Sequence, residues 1–488
     1  MAVQTEQLRL AVRPKVVLKY FGGFAFVIAL LTMVPLAVSL GAGEYPVGFR
    51  YAVVIAGLAG LGALLNRFPS PARVQYNEVM VLVALLFIFT PLVMSYPVMA
   101  AGIPFVDALF ETVSGCTTTG LSTLGAVENR PVSFLFARAW MQWYGGLGIV
   151  ILSLALLVRP GLVAKDLAVA ESVPDDDLIG GTRAHARRIL AVYLAITASG
   201  ILLLLLFRAD PFSAVVYALA SVSTGGFSPH DGGMAALGPW PVQGAVILLC
   251  LAGSTPLVYY HRLFRSRGRL KVLSIQFLAI FFLSLAVSGF LAFFMERLPG
   301  VPLSDSLRQA SLLAFSAQTT AGFSPLDASG LDNPSKVLLM VSMFFGGGAS
   351  STAGGLKILR LLIILALLRW FVVRICLPRH AVHHATVAGR RLEHGETVEA
   401  LLLLFLFLSA IFLSWLAFVG FGHEPLDALF EVTSAVGTVG LSVGITRADL
   451  APVLKLVLCA DMLLGRLEII PWLVLLYPGS WLGRRAAT

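Results

Sequence analysis

The sequence predicts an all-α polytopic membrane protein: four related helical units arranged around a central axis, preceded by a two-helix hairpin. Three observations carry this prediction. First, of 488 residues 58% are apolar and only 12% charged, and the mean hydropathy is +0.88, beyond what a soluble core requires. Second, apolar runs at 79–99, 149–158, 189–207, 277–294 and 401–418 lie in windows that suit helices of about 20 residues, the length that crosses a hydrocarbon core of about 30 Å. Third, a Thr-x-Gly-x-Ser segment recurs four times between apolar stretches: Thr118-Thr119-Gly120-Leu121-Ser122, Thr224-Gly225-Gly226-Phe227-Ser228, Thr320-Ala321-Gly322-Phe323-Ser324 and Thr438-Val439-Gly440-Leu441-Ser442. Threonine and glycine keep their offsets while the residues between them vary, so a backbone conformation is being preserved.

The hairpin comes first, with spans at 16–40 and 51–65. Its first apolar stretch outlasts the core of a signal peptide and lacks a small-residue cleavage site, so it reads as a retained span. Each following unit reads as outer helix, short descending helix, turn and inner helix, over 79–157, 188–260, 271–375 and 397–479. The corresponding divisions are 1–70 for the hairpin, then 71–165, 166–265, 266–385 and 386–488 for the four units. The descending helix is clearest where Asp107-Ala108-Leu109-Phe110-Glu111 is repeated as Asp427-Ala428-Leu429-Phe430-Glu431, each behind a proline. Acids at a helix start complement its dipole, and about ten residues at 1.5 Å each make a half-membrane helix. The second and third descending helices start at Pro211 and near Asp305 with different wording, which indicates an old internal duplication.

A net charge of +9 and a pI near 9.6 would suit nucleic acid, but the placement of the charges excludes it. Basic residues gather in alternate loops: Arg9, Arg13, Lys15 and Lys19; Arg159, Lys165, Arg183, Arg187 and Arg188; Arg262, Arg265, Arg267, Arg269 and Lys271; and 357–391. The positive-inside rule then puts these loops and both termini in the cytoplasm, with the Thr-x-Gly segments entering from outside. Cys116, Cys250, Cys376 and Cys459 are too scattered for a disulfide framework or zinc site. Asp175-Asp176-Asp177 reads as a solvated loop, and His380, His383 and His384 as an exposed basic linker, with pH sensing the alternative. No His/Cys cluster, nucleophile-base pair or strand-linked Gly-x-Gly-x-x-Gly is present. No enzymatic reaction and no organic cofactor are expected.

An ion leaving water needs its hydration shell replaced, and a ring of backbone carbonyls does this for potassium without burying a fixed charge. Glycine reaches positive φ at little cost, so Gly120, Gly226, Gly322 and Gly440 suit strands converging on one axis. Thr118, Thr224, Thr320 and Thr438 would add hydroxyls at the inner mouth, with Thr119, Gly225, Ala321 and Val439 between the two. Irregular backbone at this depth is tolerated only where protein or water surrounds it, as in a pore. The carbonyl ends of the four short helices would favour a cation by about 0.3–1 kcal/mol each.

On these residues the chain resembles the TrkH branch of the Trk/Ktr/HKT superfamily of potassium transporters, over nearly its whole length and including the extra hairpin. The resemblance implies a pseudo-fourfold pore within one subunit, potassium selected at the four glycines, a homodimer in the cell membrane, and a cytoplasmic ring of TrkA-like nucleotide-binding subunits. Plant relatives with serine in the first filter position pass sodium, whereas Gly120 stands here. The segment from Gly346, Gly347 and Gly348 through Ser350 and Ser351 to Gly354 and Gly355 resembles the family's intramembrane gating loop. Each interior glycine costs a helix about 0.8–1 kcal/mol; the alternative is close helix packing through Gly346, Ser350 and Gly354. The fourth inner helix carries Asp461, Arg466 and Glu468 inside an otherwise apolar stretch. Arg466 matches the family's pore arginine, and Glu468 is read as structural. Ala252-Gly253-Ser254-Thr255-Pro256 and the doubled glycine at Gly225 depart from the family pattern. Two other functions stay open: a coupled secondary transporter of a small solute, and a sodium-permeant member of the same superfamily.

Overall fold

The computed structural model describes residues 11–69, 74–157, 181–265, 274–296, 302–378 and 380–482. The Asp175-Asp176-Asp177 loop, Arg9, Arg159, Lys165, Arg267, Arg269, Lys271 and Arg379 lie outside the described residues, as do the unit boundaries at 70, 165 and 266.

Helices α1 (Pro14–Gly41) and α2 (Tyr45–Leu65) form the N-terminal hairpin. They pack through glycines: a Cβ on Gly22 would sit 2.7 Å from the Leu65 Cβ, and one on Gly62 would sit 3.0 Å from the Gly22 carbonyl. Small residues allow this approach, which in lipid substitutes packing for the missing hydrophobic drive. Helix α2 begins six residues before the expected 51, because Pro46 in its first turn starts it. The hairpin is tied to the first unit by the buried Arg13–Glu78 ion pair at 2.7 Å and by Trp140 Nε1 donating to the Leu31 carbonyl at 2.9 Å.

Four units follow. The first is α3 (Tyr76–Val98), the short α4 (Phe105–Cys116) and α5 (Val132–Leu157). The second is α6 (Gly181–Leu206), short α7 (Pro211–Val222), α8 (Trp240–Ser254) and α9 (Leu257–Arg265). The third is α10 (Ile275–Met295), short α11 (Leu303–Gln318), α12 (Asn333–Phe344) and α13 (Ile358–Ile375). The hairpin of β1 (Thr386–Val387) and β2 (Arg390–Arg391) leads into the fourth, with α14 (His394–Gly420), short α15 (Pro425–Val436), α16 (Pro452–Arg466) and α17 (Ile470–Leu476). Six helices among the described residues are long and apolar enough to cross a membrane: Pro14–Gly41, Tyr45–Leu65, Tyr76–Ala101, Ala186–Leu206, Ile275–Met295 and His394–Gly420. Their outer faces are apolar and uncovered, as Phe405, Leu413 and Leu202 on α14 and α6 illustrate. Such faces suit lipid.

The inner helices depart from the uninterrupted spans expected of the second and fourth units. Helix α8 stops at Ser254 because Thr255 is extended and Pro256 has no N–H to continue the ladder. Helix α16 stops at Arg466, where Glu468 and Ile469 both take positive φ, 54° and 64°. Only the third break, between Phe344 and Ile358, falls where the glycine run announces it.

The repeated pentapeptide turns out to join one unit to the next. Asp107 of α4 pairs with Lys455 of α16 at 2.5 Å, and Asp427 of α15 pairs with Lys336 of α12 at 2.7 Å. These two short helices are thus stapled to the preceding inner helix around the axis. Glu111 accepts from Ser122 Oγ at 2.5 Å and Thr123 N at 3.2 Å and pairs with Arg138 at 2.8 Å. Glu431 accepts from Ser442 Oγ, Val443 N and Thr446 N at 2.6, 3.1 and 2.7 Å. Sequence alone assigns a dipole role to the acids at the helix starts, Asp107 and Asp427, and none to Glu111 and Glu431, which hold the chain that follows each turn.

Candidate functional site

All four short helices end in one backbone motif. The N–H groups of Thr118, Thr224, Thr320 and Thr438 bond to carbonyls three residues back, on Gly115, Ser221, Ala317 and Ala435, at 2.9–3.1 Å. Those of Thr119, Gly225, Ala321 and Val439 bond five back, to Ser114, Ala220, Ser316 and Ser434, at 2.7–2.9 Å. This is a Schellman end, whose left-handed position is normally filled by glycine. Here it is threonine, at φ 53°, 52°, 53° and 48°. Sequence reasoning assigned positive φ to the glycines alone and missed it. A β-branched residue in this region is strained, so a hydroxyl has been kept at four places where glycine would be easier.

Two residues on, Gly120, Gly226, Gly322 and Gly440 have φ of 91°, 79°, 70° and 94°. A Cβ on Gly120 would overlap the carbonyl oxygen of Gly225, one on Gly226 that of Ala321, one on Gly322 that of Val439, and one on Gly440 that of Thr119. The fourth contact returns to the first turn. Turns from residues more than three hundred apart therefore close into a ring in which each glycine faces the next turn's carbonyl, and no side chain fits. In the second turn the extra glycine is held rather than loose. Gln142 Nε2 donates to the Gly225 carbonyl, Gln142 Oε1 accepts from Phe227 N at 3.2 Å, and a Cβ on Gly225 would overlap the Gln142 side chain.

On the threonine side of the ring lies the glycine-rich segment between α12 and α13. It folds back on itself, with Gly346 N to Leu356 O at 3.1 Å, Leu356 N to Phe344 O at 2.9 Å and Ile358 N to Gly347 O at 3.0 Å. The segment is not helical, so the alternative of a small-residue helix stripe through Gly346, Ser350 and Gly354 has no surface to act on. Gly354 N donates to Thr320 Oγ1 at 2.7 Å, and a Cβ on Gly354 would overlap Thr438 Oγ1. Thr352 Oγ1 lies 3.4 Å from Thr224 Oγ1 and within 3.0 Å of the Val222 and Gly253 carbonyls. Gly348 N bonds to Ser254 O at 2.9 Å, across the α8 break, and Ser351 Oγ donates to Gly348 O at 2.7 Å. Ser350 and Gly355 take the positive φ values, 58° and 67°, that turn the chain. The segment thus meets three of the four threonines, while the buried Thr118 and Thr438 hydroxyls have no hydrogen-bond partner.

Arg466 caps this arrangement. Buried at 3% exposure, it donates to the Thr352 carbonyl at 2.8 Å and to the Gly145 carbonyl at 3.4 Å, with its Nε unpartnered. Gly145 is glycine because a Cβ there would overlap the Cys116 carbonyl at the end of α4. Glu468 turns away and pairs with Arg360, in the first turn of α13, which also lies 3.9 Å from Glu399 of α14. Lys357 Nζ donates to the Ala353 carbonyl. The sequence singled out Arg466 and Glu468; Lys357 and Arg360, the first charged residues after the glycine run, were legible only as members of a basic stretch. His380, His383 and His384 are exposed on the segment beyond α13.

Comparison with known proteins decides the family. The profile of TrkH, described as a cation transport protein, matches residues 80–268 and 263–479. This chain belongs to the TrkH family of cation transport proteins. An uncharacterized cation transporter of Methanocaldococcus jannaschii is 29% identical over 94% of both chains. The Trk system potassium uptake protein TrkI of Halomonas elongata is 29% identical over 95% of this chain and 96% of its own length. The Trk system potassium uptake protein TrkH of Escherichia coli is 28% identical over 77% and 79% respectively. The crystal structure of the potassium transporter TrkH from Vibrio parahaemolyticus matches with a TM-score of 0.85, covering 96% of this chain and all of that one at 24% identity, so it shares the fold. TrkH proteins are membrane ion transporters rather than enzymes, and this chain is a multi-pass, mostly helical member.

Proposed function

We propose that this TrkH protein takes up potassium across the cell membrane through the ring of four Thr-x-Gly turns. Carbonyls of residues 118–120, 224–226, 320–322 and 438–440, with the threonine hydroxyls, replace the hydration shell. The segment from Gly346 to Gly355 and Arg466 close the path beneath. The observation that carries this reading is the closed sequence of glycine-to-carbonyl contacts, for it leaves four backbones at one axis with no side chain between them. Relatives named as potassium uptake proteins support the choice of ion. Arg466 supports the gate, since a guanidinium held against the loop's Thr352 carbonyl opposes cations at that depth. The protein works as a homodimer, with both termini in the cytoplasm, and docks a TrkA-like nucleotide-binding ring on its basic inner face.

Ion uptake into liposomes holding the purified protein tests this directly, with potassium, rubidium, sodium and lithium compared at equal concentration. Potassium and rubidium are expected to enter well ahead of sodium and lithium. Equal entry of all four removes the selectivity claim and leaves a sodium-permeant transporter; uptake of an organic solute driven by an ion gradient replaces the channel-like reading with a coupled carrier.

A further inference from the structure

Asp461 takes no part in the pathway described above. It sits in α16, one turn outward of Gly465, where a Cβ would overlap the Val436 carbonyl at the end of α15. Its side chain is buried, with the residue 1% exposed. Oδ1 accepts from Ser414 Oγ of α14 at 2.7 Å, while Oδ2 is buried with no hydrogen-bond partner.

The ionisable groups on the helices packed against α16 are occupied elsewhere, apart from the exposed His394 that opens α14 at the far end from Ser414. On α4, Asp107 pairs with Lys455 and Glu111 with Arg138. On α15, Asp427 pairs with Lys336, and Glu431 is filled by Ser442, Val443 and Thr446. On α14, Glu396 pairs with Arg390 and Glu399 lies beside Arg360. On α16 itself Lys455 is committed to Asp107, Arg466 faces two carbonyls, and Cys459 is a buried thiol. Among the described residues no cation reaches Asp461. The apolar core shared by α14, α15 and α16, which includes Phe407, Ile411, Leu458 and Met462, offers no further donor. An ionised carboxylate so placed would have one hydroxyl and no counter-charge, a state that buried acids escape by taking up a proton.

The geometry points to Asp461 as a proton-binding site within the membrane: Oδ2 carries a proton while Ser414 Oγ donates to Oδ1, and release of that proton leaves a carboxylate behind the fourth Thr-x-Gly turn. One O–H bond breaks, the proton leaves, and the electron pair stays on the carboxylate. The negative charge appears beside a path for cations, so proton release at higher pH raises cation entry. This pH effect rests on the proposed transport function; the protonation itself does not.

Infrared spectroscopy of the full-length protein in liposomes reads the proton directly. A protonated-carboxyl carbonyl band that shifts in heavy water is expected at neutral pH and is lost in Asp461→Asn, which keeps the Oδ1 acceptor. Ser414→Ala, which leaves Asp461 in place, moves the same band, and serves if Asp461→Asn does not fold. In rubidium uptake across a pH series the native protein rises with pH, while Asp461→Asn stays at the native protein's low-pH level. A band identical in all three proteins overturns the proposal, as does an unchanged pH profile in a folded Asp461→Asn. Absent rubidium uptake with the band present counts against the transport reading alone.

Discussion

Thr118→Gly separates what the ring needs for stability from what it needs for function. Thr118 is left-handed at φ 53°, and its hydroxyl has no protein partner. Glycine relieves about 1–2 kcal/mol of left-handed strain. It gives back about 0.5–1 kcal/mol in backbone entropy and about 0.8 kcal/mol for the buried methyl. The net effect is within about 1 kcal/mol of zero, where a buried substitution usually destabilises. Thr112, whose hydroxyl lies 3.0 Å from the Pro91 carbonyl inside α4, has no such strain to relieve, so Thr112→Gly is the destabilising control. If the Thr118 hydroxyl ligates potassium, the variant loses affinity, and a tenfold loss removes about 1.4 kcal/mol of stabilisation at saturating potassium. Thermal unfolding of the purified protein with and without potassium measures both quantities. A Thr118→Gly protein that is more than about 2 kcal/mol less stable without potassium would refute the strain argument. One that keeps the full potassium-dependent shift would refute the ligand role.

Three further outcomes are expected. Gly120→Ser puts a Cβ into the Gly225 carbonyl at a φ of 91° and lowers the rubidium-to-sodium uptake ratio at least tenfold, about 1.4 kcal/mol of discrimination. Arg466→Ala frees the Thr352 and Gly145 carbonyls and raises uptake several-fold with that ratio unchanged; a folded variant with lower uptake would count against a gating arginine. Arg360→Gln and Glu468→Gln each lower thermal stability, and their combination costs less than the sum by about 0.5–3 kcal/mol, because they break one partly buried pair.

The fold was legible because lipid allows few solutions: long apolar runs had to be helices, and four copies of one turn in one context had to be related. Gly120, Gly226, Gly322 and Gly440 could be placed from sequence since only glycine suits both their φ and their closeness to a carbonyl. The threonine conformation was hidden, because propensity argues against a β-branched residue at positive φ and only the observed Schellman end overrides it. The breaks after Ser254 and Arg466 were hidden for different reasons. Pro256 was visible as a departure without its consequence, whereas nothing in Glu468-Ile469 announces two consecutive left-handed residues. Long-range pairs such as Asp107 with Lys455 could not be read at all, since a repeated pentapeptide shows that an acid is wanted without showing what it meets.

The ring is fourfold in its backbone but not in what supports it, and the difference divides it in two. The first and fourth turns, neighbours around the axis, are fixed from outside: Glu111 and Glu431 hold the chain after each turn, and Ser114 and Ser434 hydroxyls accept from Gly120 N and Gly440 N at 3.0 Å. The second turn has Ala220 in place of that serine, and the Ser316 hydroxyl of the third has no partner. These two turns are met from below, Thr224 by Thr352 and Thr320 by Gly354 N, and the second is also held from the side by Gln142. A loop that hydrogen-bonds these two turns can leave without breaking a hydrogen bond of the half held by carboxylates. Motion of the segment between α12 and α13 would then change the hydrogen bonds of two threonines while the other two turns keep theirs, which would let the proposed gate act apart from the proposed filter.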